Sequence, residues 1–261
     1  MVKNINYFEF LGKSSLDFGI AITDTNTYIS AEKDINFVSV PGYNGDYIQD
    51  NGRRKNVTVE YTCAVIPLKK FANRQEQLLS ISSWLNGKVT GYSKLYDSYS
   101  PDIYRQAIFY KSIEPKLNVA DVYTMTISFN CKPLKYEIEG ENAITEVNDN
   151  GITLTLTNDI ATDSYPLIVL KPATAGRVGM NFDLNGVNWY VEAANMVYFD
   201  SEQGKVYNTD YFYLYHNGTA DNFIAPVGMP VLVNGTNIIK IEPPDSSNIG
   251  EFIIYPRWCH I

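Results

Sequence analysis

Alternation of apolar and polar residues is the main pattern of this chain, and it predicts a protein built mostly of β-strands. In residues 57–65 every second side chain is apolar, and residues 123–131 repeat the pattern most clearly. A period of two is typical of a strand with one buried face. Shorter apolar runs predict further strands at 103–113, 152–156, 167–170, 180–184, 189–191, 196–199, 231–233, 238–241 and 252–255.

One segment has helical spacing instead, and we predict an α-helix over residues 73–86. Asn73 can accept hydrogen bonds as the N-cap, and Glu76 stands where a capping box needs an acidic partner. The apolar positions then recur three and four residues apart, at Leu78, Ile81 and Leu85. Such a stripe indicates packing on a core rather than a binding face.

Residues 37–47 combine a short apolar run with a strong turn signal. Pro41 should end regular strand pairing, and Gly42 and Gly45 tolerate positive φ. Asn44 before Gly45 is typical of tight turns. Turn chemistry alone favours an ordinary hairpin turn, and the alternative is a shaped loop that is presented to a partner.

Charge divides the chain into two parts. Residues 1–137 carry 16 Lys and Arg against 14 Asp and Glu, whereas residues 138–261 carry 5 against 15. Such a change in composition predicts two domains with a boundary near residue 137. The second part has short strands every 10–15 residues, separated by Gly and Asn turns, and Asn185-Gly186 and Asn234-Gly235 each predict a tight hairpin. This spacing predicts a β-sandwich, and residues 138–150 are expected to be a polar linker or crossing loop.

Composition narrows the functional classes. The 261 residues are 45% hydrophobic but only 19% charged, with 20 tyrosines and a net charge of −8. A low charge with many tyrosines suggests β-rich surfaces that contact other surfaces, and the negative charge argues against non-specific nucleic-acid binding. Three unpatterned cysteines predict reduced, buried thiols rather than disulfides. Neither a signal peptide nor a membrane span is expected.

No constellation of catalytic or metal-binding residues stands out. The only histidines are His216 and His260, and motifs for zinc, a nucleophilic serine or a phosphate loop are absent. Two carboxylate pairs, Asp97 with Asp102 and Asp200 with Glu202, could in principle hydrolyse sugars. Both pairs lie in turn-rich segments, so turn chemistry explains them better. We therefore predict no catalytic residue, metal or cofactor.

Two further features have both a structural and a functional interpretation. Trp189 and Trp258 could stack on sugars, although a tryptophan is more often part of the core. The basic run Arg53-Arg54-Lys55 is expected at a hairpin tip. It is either solvated or in contact with an acidic neighbour, such as the C-terminal half of an identical subunit.

Several motifs occur in an order that resembles the distal tail proteins of long-tailed, non-contractile phages, mainly those that infect Gram-positive bacteria. The resemblance is strongest in the first half and looser in the second. Tyr43 departs from it, because the family often has Arg there. The matching segments are residues 17–20, 40–46, 84–85, 91–97, 101–104, 129–133, 199–202, 230–237 and 256–258.

The resemblance implies a hexameric ring that joins the tail tube to the tip. Its β-sandwich-like N-terminal domains, each with one α-helix, surround a channel, and galectin-like or carbohydrate-binding-module-like C-terminal β-sandwiches lie outside. It implies no catalytic residues. Expected partners are the tail tube protein, the tape measure protein, the tail-tip lysin or fibre hub, and receptor-binding proteins. The protein would be made in the host cytoplasm and act in the virion, without membrane insertion or sequence-specific nucleic-acid binding.

Three hypotheses follow, and the ring hub is the first. The second is a carbohydrate-binding module for host wall polysaccharide, and the third is a glycosidase that uses one of the carboxylate pairs. With the resemblance, the presented-loop interpretation of the turn is preferred. The candidate subunit-interface residues are Pro41, Gly42, Tyr43, Asn44, Gly45, Asp46, Arg53 and Arg54.

Overall fold

The computed structural model describes residues 5–87, 90–118, 122–208 and 228–261. By its internal contacts the chain divides into two compact units. The first ends at Lys135 and also takes the last residue, Ile261, and the second is Tyr136–His260. His216, noted above as one of two histidines, lies outside the described residues.

The described residues contain short strands throughout and two α-helices. The strands are β1 (Phe8–Phe10), β2 (Lys13–Ser14), β3 (Ile20–Thr25), β4 (Lys33–Ser39), β5 (Asp46–Arg54), β6 (Val57–Val65), β7 (Ser93–Asp97), β8 (Ile103–Phe109), β9 (Lys116–Leu117), β10 (Tyr123–Glu137), β11 (Ile144–Val147), β12 (Ile152–Asn158), β13 (Leu167–Pro172), β14 (Val178–Leu184), β15 (Val187–Ala193), β16 (Val197–Asp200), β17 (Lys205–Asn208), β18 (Gly235–Ile241), β19 (Ile249–Tyr255) and β20 (Cys259–His260). The helices are α1 (Arg74–Leu85) and α2 (Pro244–Ser247), and 3₁₀ turns span Ser15–Phe18 and Glu139–Glu141.

The first unit is built on one long antiparallel sheet with strand order β2-β1-β7-β8-β10-β6-β3. At its centre β6 and β10 pair in continuous register from Tyr123 opposite Val65 to Cys131 opposite Val57. Their alternating apolar residues all point into the core, as the period of two predicts. A bridge between Asn6 and Ile22 brings the two ends of this sheet together.

Helix α1 closes this core, and its prediction is confirmed. The Asn73 side chain accepts a hydrogen bond from the Glu76 amide at 2.8 Å. The Glu76 carboxylate accepts from the amide of Ala72 at 2.7 Å, one residue earlier than a capping box would place it. Trp84 on the buried face stacks on Phe18, with ring centroids 4.4 Å apart.

The second unit has two antiparallel sheets over a common core, which confirms the predicted β-sandwich. One sheet has the order β11-β19-β13-β16-β17 and the other β12-β18-β14-β15. Ile168, Phe199 and Phe252 come from the first sheet and Phe182 and Ile239 from the second, and all five are buried in one cluster. Alternation along each strand therefore decides which side chains enter the core.

Three local predictions for the second unit were wrong. The predicted strand over residues 231–233 is only an isolated bridge between Leu232 and Ser164. Residues 138–150 are not an irregular linker, because they contain β11, which pairs with β19. Asn234-Gly235 is not the turn of a tight hairpin. The Asn234 side chain donates to the carbonyl of Ile160 at 2.8 Å and to that of Asn158 at 3.2 Å, and the chain enters β18 directly. An Asn-Gly pair looks the same in the sequence whether its Asn forms a tight turn or hydrogen-bonds to distant backbone.

Candidate functional site: the hairpin arm

Strands β4 and β5 form a separate two-stranded sheet, which we call the hairpin arm (residues 33–54). Within the described ranges, these two strands pair only with each other. Phe37 lies opposite Ile48, and Val38 lies opposite Tyr47. Directly opposed residues share a face of a sheet, so each face of the hairpin arm carries one apolar pair.

These apolar side chains are largely exposed. Phe37 is 67% exposed, Tyr47 68% and Ile48 58%. A two-stranded hairpin without a covered face is marginal in water, and contiguous exposed apolar surface marks an interaction site in many proteins. The hairpin arm therefore exposes apolar side chains on both of its faces.

The tip of the hairpin arm has the turn geometry that the sequence predicts. The amide of Tyr43 donates to the carbonyl of Val40 at 3.1 Å, which closes a turn around Pro41 and Gly42. Gly42 has φ 86° and Gly45 has φ 88°, a conformation that favours glycine. Residues 40–46 are all exposed, and Tyr43 is 80% exposed.

The segment that leads into the hairpin arm is tied to the core by a buried arginine. Arg105 is 4% exposed, and its guanidinium donates to the carbonyls of Thr27 at 3.0 Å and Ile29 at 2.8 Å. Burial lowers the pKa of this group. Sequence reasoning missed Arg105, because an arginine within a predicted strand is expected to face solvent.

Asp97 completes this anchor from the neighbouring strand β7. Its carboxylate accepts from the hydroxyl of Thr27 at 2.5 Å and from that of Tyr61 at 2.9 Å. Burial, helped by the nearby Asp97 charge, raises the pKa of the Tyr61 phenol well above its usual value. We call Thr27, Tyr61, Asp97 and Arg105 the root network, since they hold the base of the hairpin arm.

The basic run lies at this base and not at a hairpin tip, so that part of the prediction was wrong. Arg53 and Arg54 are the last residues of β5, next to the junction with β6. Arg53 pairs with Asp34 at 2.6 Å, and this hydrogen bond lowers the pKa of the Asp34 carboxyl. Arg54 donates to the carbonyl of Ala31 at 3.0 Å.

The carboxylate pairs have structural partners in the fold. Besides its two hydroxyl donors, Asp97 accepts from the amides of residues 99 and 100. Asp200 is 2.8 Å from the guanidinium of Arg257, and Glu202 is 3.8 Å from it. Glu202 also accepts a hydrogen bond from the Tyr136 hydroxyl at 2.8 Å, so three of the four acids have structural partners in the fold.

The two tryptophans that were considered for sugar stacking differ in burial. Trp189 is 4% exposed and lies in the core, stacked on Phe182 with centroids 5.6 Å apart. Its indole N–H donates to the carbonyl of Gly228 at 3.4 Å. Trp258 is half-buried and packs against the same core. Trp189 therefore presents no open ring face to a ligand in this structure.

The described residues form neither a metal site nor a membrane-spanning helix. In the described parts of the chain, no three His, Cys, Asp or Glu side chains group where they could hold a metal ion. No helix among the same residues is long and apolar enough to cross a membrane.

Comparison with known proteins shows what this architecture is similar to. No family model and no curated protein matches the chain. Among solved structures it matches the crystal structure of the SPP1 Dit protein (gp 19.1), described as a paradigm of the hub adsorption apparatus in phages that infect Gram-positive bacteria. Sequence identity is 11%, the TM-score is 0.61, and the match covers 91% of this chain and 98% of the SPP1 protein. The chain therefore has the fold of a phage Dit protein along most of its length.

Proposed function

We propose that this protein is a structural hub of a phage tail tip. In this role it forms a ring, with six copies expected, that joins the tail tube to the adsorption apparatus. The observation that carries the proposal is the shared fold with the SPP1 Dit protein across 91% of the chain. The role needs no catalytic residue and no cofactor, and its place is the virion after synthesis in the host cytoplasm.

The hairpin arm is the proposed contact with a neighbouring subunit. A closed ring needs two different complementary patches on each subunit. Phe37, Tyr43, Tyr47 and Ile48 supply exposed apolar area for one patch. Residues 41–46 shape its tip, and Arg53 and Arg54 orient its base through their contacts with Asp34 and Ala31.

Further partners follow from the proposed position in the tail. The tail tube protein and the tape measure protein would lie on one side of the ring, and a tail-tip lysin or fibre hub on the other. Receptor-binding proteins are the remaining candidates. These assignments rest on the fold likeness alone, and co-purification with each neighbour from infected cells tests them one at a time.

Negative-stain electron microscopy and native mass spectrometry of the full chain test the ring. The wild type should form rings with a central hole. Phe37→Ser with Tyr43→Ser should shift the protein to monomers while the circular dichroism spectrum stays unchanged, because both side chains are exposed. Tyr110→Ser is the matched control, since this tyrosine is 60% exposed but lies outside the hairpin arm.

Two results would count against these proposals. If the wild type stays monomeric at the highest soluble concentration, even with its tail tube protein added, the proposed ring is refuted. Rings that form equally well from the double variant would leave the ring in place but move the interface away from the hairpin arm.

A further inference from the structure

Seven Asn-Gly pairs occur in this chain, and six of them lie in the described ranges. Such a pair is a labile unit of a polypeptide, because glycine has no side chain to screen its backbone nitrogen. When both groups are free to turn, that nitrogen can attack the side-chain carbonyl carbon of the asparagine. The six described pairs begin at Asn44, Asn51, Asn86, Asn150, Asn185 and Asn234.

Five of the six pairs contain a hydrogen bond that opposes this attack. In four of them the glycine amide, which holds the attacking nitrogen, is already a donor, and it cannot turn without breaking its bond. The acceptors are the Asp50 carboxylate for Gly52, the Trp84 carbonyl for Gly87, the Asn148 side chain for Gly151 and the Asp183 carboxylate for Gly186. In the fifth pair the asparagine is held, since the Asn234 side chain donates to the carbonyls of Asn158 and Ile160.

The pair at the tip of the hairpin arm has neither constraint. The Asn44 side chain and the Gly45 amide form no hydrogen bond with any residue that the structure describes. Both residues are exposed and lie between the strands, since β4 ends at Ser39 and β5 begins at Asp46. Nothing lies within 4 Å of a Cβ position built on Gly45. The tip therefore has the freedom and the space that closure of a five-membered ring requires.

We propose that Asn44 is the site of fastest spontaneous deamidation among the described pairs of the folded chain. The Gly45 nitrogen forms a bond to Cγ of Asn44, and the side-chain nitrogen leaves as ammonia with the proton that the Gly45 amide loses. Water then opens the cyclic imide at either of its carbonyls, which leaves aspartate or isoaspartate. One water is consumed and one ammonia is released, and no atom changes its oxidation state.

The reaction changes the charge of the tip of the hairpin arm. Asp46 is the only charged residue in the exposed segment 40–46, so a carboxylate at position 44 gives the tip a second negative charge. An interface that covers this tip would have to bury the new charge, which is costly. This consequence for assembly rests on the proposed contact between the hairpin arm and a neighbouring subunit, whereas the deamidation itself does not.

Peptide mapping by mass spectrometry tests the site on the full chain, incubated in mildly alkaline buffer below the concentration at which rings form. Asn44 should be converted at least about fivefold faster than the asparagine of any other described pair, because a hydrogen bond must break first at each of those. In guanidinium chloride all six pairs should react at similar rates. The inference is overturned if Asn44 stays intact in the folded chain, if another described pair reacts as fast, or if Asn44 keeps the same lead in guanidinium chloride.

Two variants give a matched comparison within the hairpin arm. Asn44→Gln should remove the fast acidic product seen by isoelectric focusing. Asn51→Gln should keep it, since Asn51 is also exposed but the Gly52 amide after it is held by Asp50. Loss of the product in both variants or in neither would contradict the assignment to Asn44.

Asn44→Asp tests the consequence for assembly separately, because it carries the charge of the product from the start. Native mass spectrometry should show a smaller ring fraction for Asn44→Asp than for Asn44→Gln. If the two variants form rings equally well, the tip lies outside the subunit contact. That result would count against the proposed contact and would leave deamidation at Asn44, which the peptide map decides, unaffected.

Discussion

At the scale of single residues, the segment Asp17–Ile20 shows why a short motif can be tightly constrained. Ser14 and Asp17 cap the 3₁₀ turn reciprocally, and Phe18 stacks on Trp84. Gly19 then adopts φ 74°, and a Cβ built on it would lie 2.2 Å from the carbonyl oxygen of Ile66. Both the backbone conformation and the close approach exclude a side chain at this position.

Replacement of Gly19 tests this double constraint. Gly19→Ala should lower the free energy of unfolding by about 2 kcal/mol more than Gly12→Ala. Gly12 has a similar φ of 69° but nothing within 4 Å of its Cβ position, so it isolates the backbone effect. Urea denaturation of both variants gives the comparison, and equal losses would show that the approach of Ile66 relaxes easily.

The cysteines are a second case in which environment decides chemistry. Burial raises the pKa of Cys63 and Cys131 to about 12 and that of Cys259 to about 11. We expect none of them to react with Ellman's reagent at about pH 8 in the folded protein, since the thiolate is the nucleophile. All three should react in guanidinium chloride, and a fast folded-state reaction would contradict the burial.

The same shifts predict a loss of stability in alkali. An unfolded thiol ionises near pH 8.5, whereas the folded thiols stay protonated until about 11 or 12. As pH rises, ionisation therefore lowers the free energy of the unfolded state before that of the folded state. The contribution of the thiols to the free energy of unfolding is complete below about pH 8.5, and it falls as pH rises from there to about 11 or 12. Replacement of all three cysteines by Ala should flatten the alkaline limb of a plot of unfolding free energy against pH.

At the scale of elements, long-range anchors decide how the hairpin arm and helix α1 are placed. Gln77 on α1 is 2% exposed, and its side-chain amide donates to the carbonyls of Phe18 and Ile66, each at 2.8 Å. The root network does the same for the hairpin arm. In both cases a buried polar side chain satisfies backbone carbonyls that lie outside the sheet ladder.

Removal of Arg105 tests the anchor of the hairpin arm. Arg105→Met should cost about 3 kcal/mol, because the carbonyls of Thr27 and Ile29 lose their buried donor. Hydrogen exchange should become faster in residues 27–38 before it does so in β6. Arg177→Met is the control, since its side chain is 51% exposed and such pairs contribute about 0–1 kcal/mol. Similar effects of the two changes would argue against an anchoring role.

At the scale of the whole molecule, the proposed assembly is expected to be apolar rather than electrostatic. The basic run that could have met an acidic neighbour is mostly occupied within its own unit, with Arg53 on Asp34 and Lys55 4.0 Å from Glu32. The hairpin arm also exposes six large apolar side chains, Phe37, Val38, Val40, Tyr43, Tyr47 and Ile48.

Salt dependence separates the two kinds of assembly. Between about 50 and 500 mM NaCl, where the Debye length shortens from roughly 14 to 4 Å, an apolar interface should keep its ring fraction or gain slightly. Analytical ultracentrifugation measures that fraction. Dissociation of rings at high salt would instead indicate that a charged contact between Arg53, Arg54 and the acidic second unit of a neighbour holds the ring together.

The sequence by itself determined the elements whose signal is local. The period of two in β6 and β10, the cap and stripe of α1, the strands of the β-sandwich and the Pro41–Gly45 turn all depend on neighbours within a few residues. Only the tertiary structure decided the rest. It placed Trp189 in the core, put Arg53 and Arg54 at the base of the hairpin arm, and joined Arg105 to a segment 76 residues away. Contacts between distant segments leave no periodic trace in the chain, so burial and anchoring are decided only when the strands are paired.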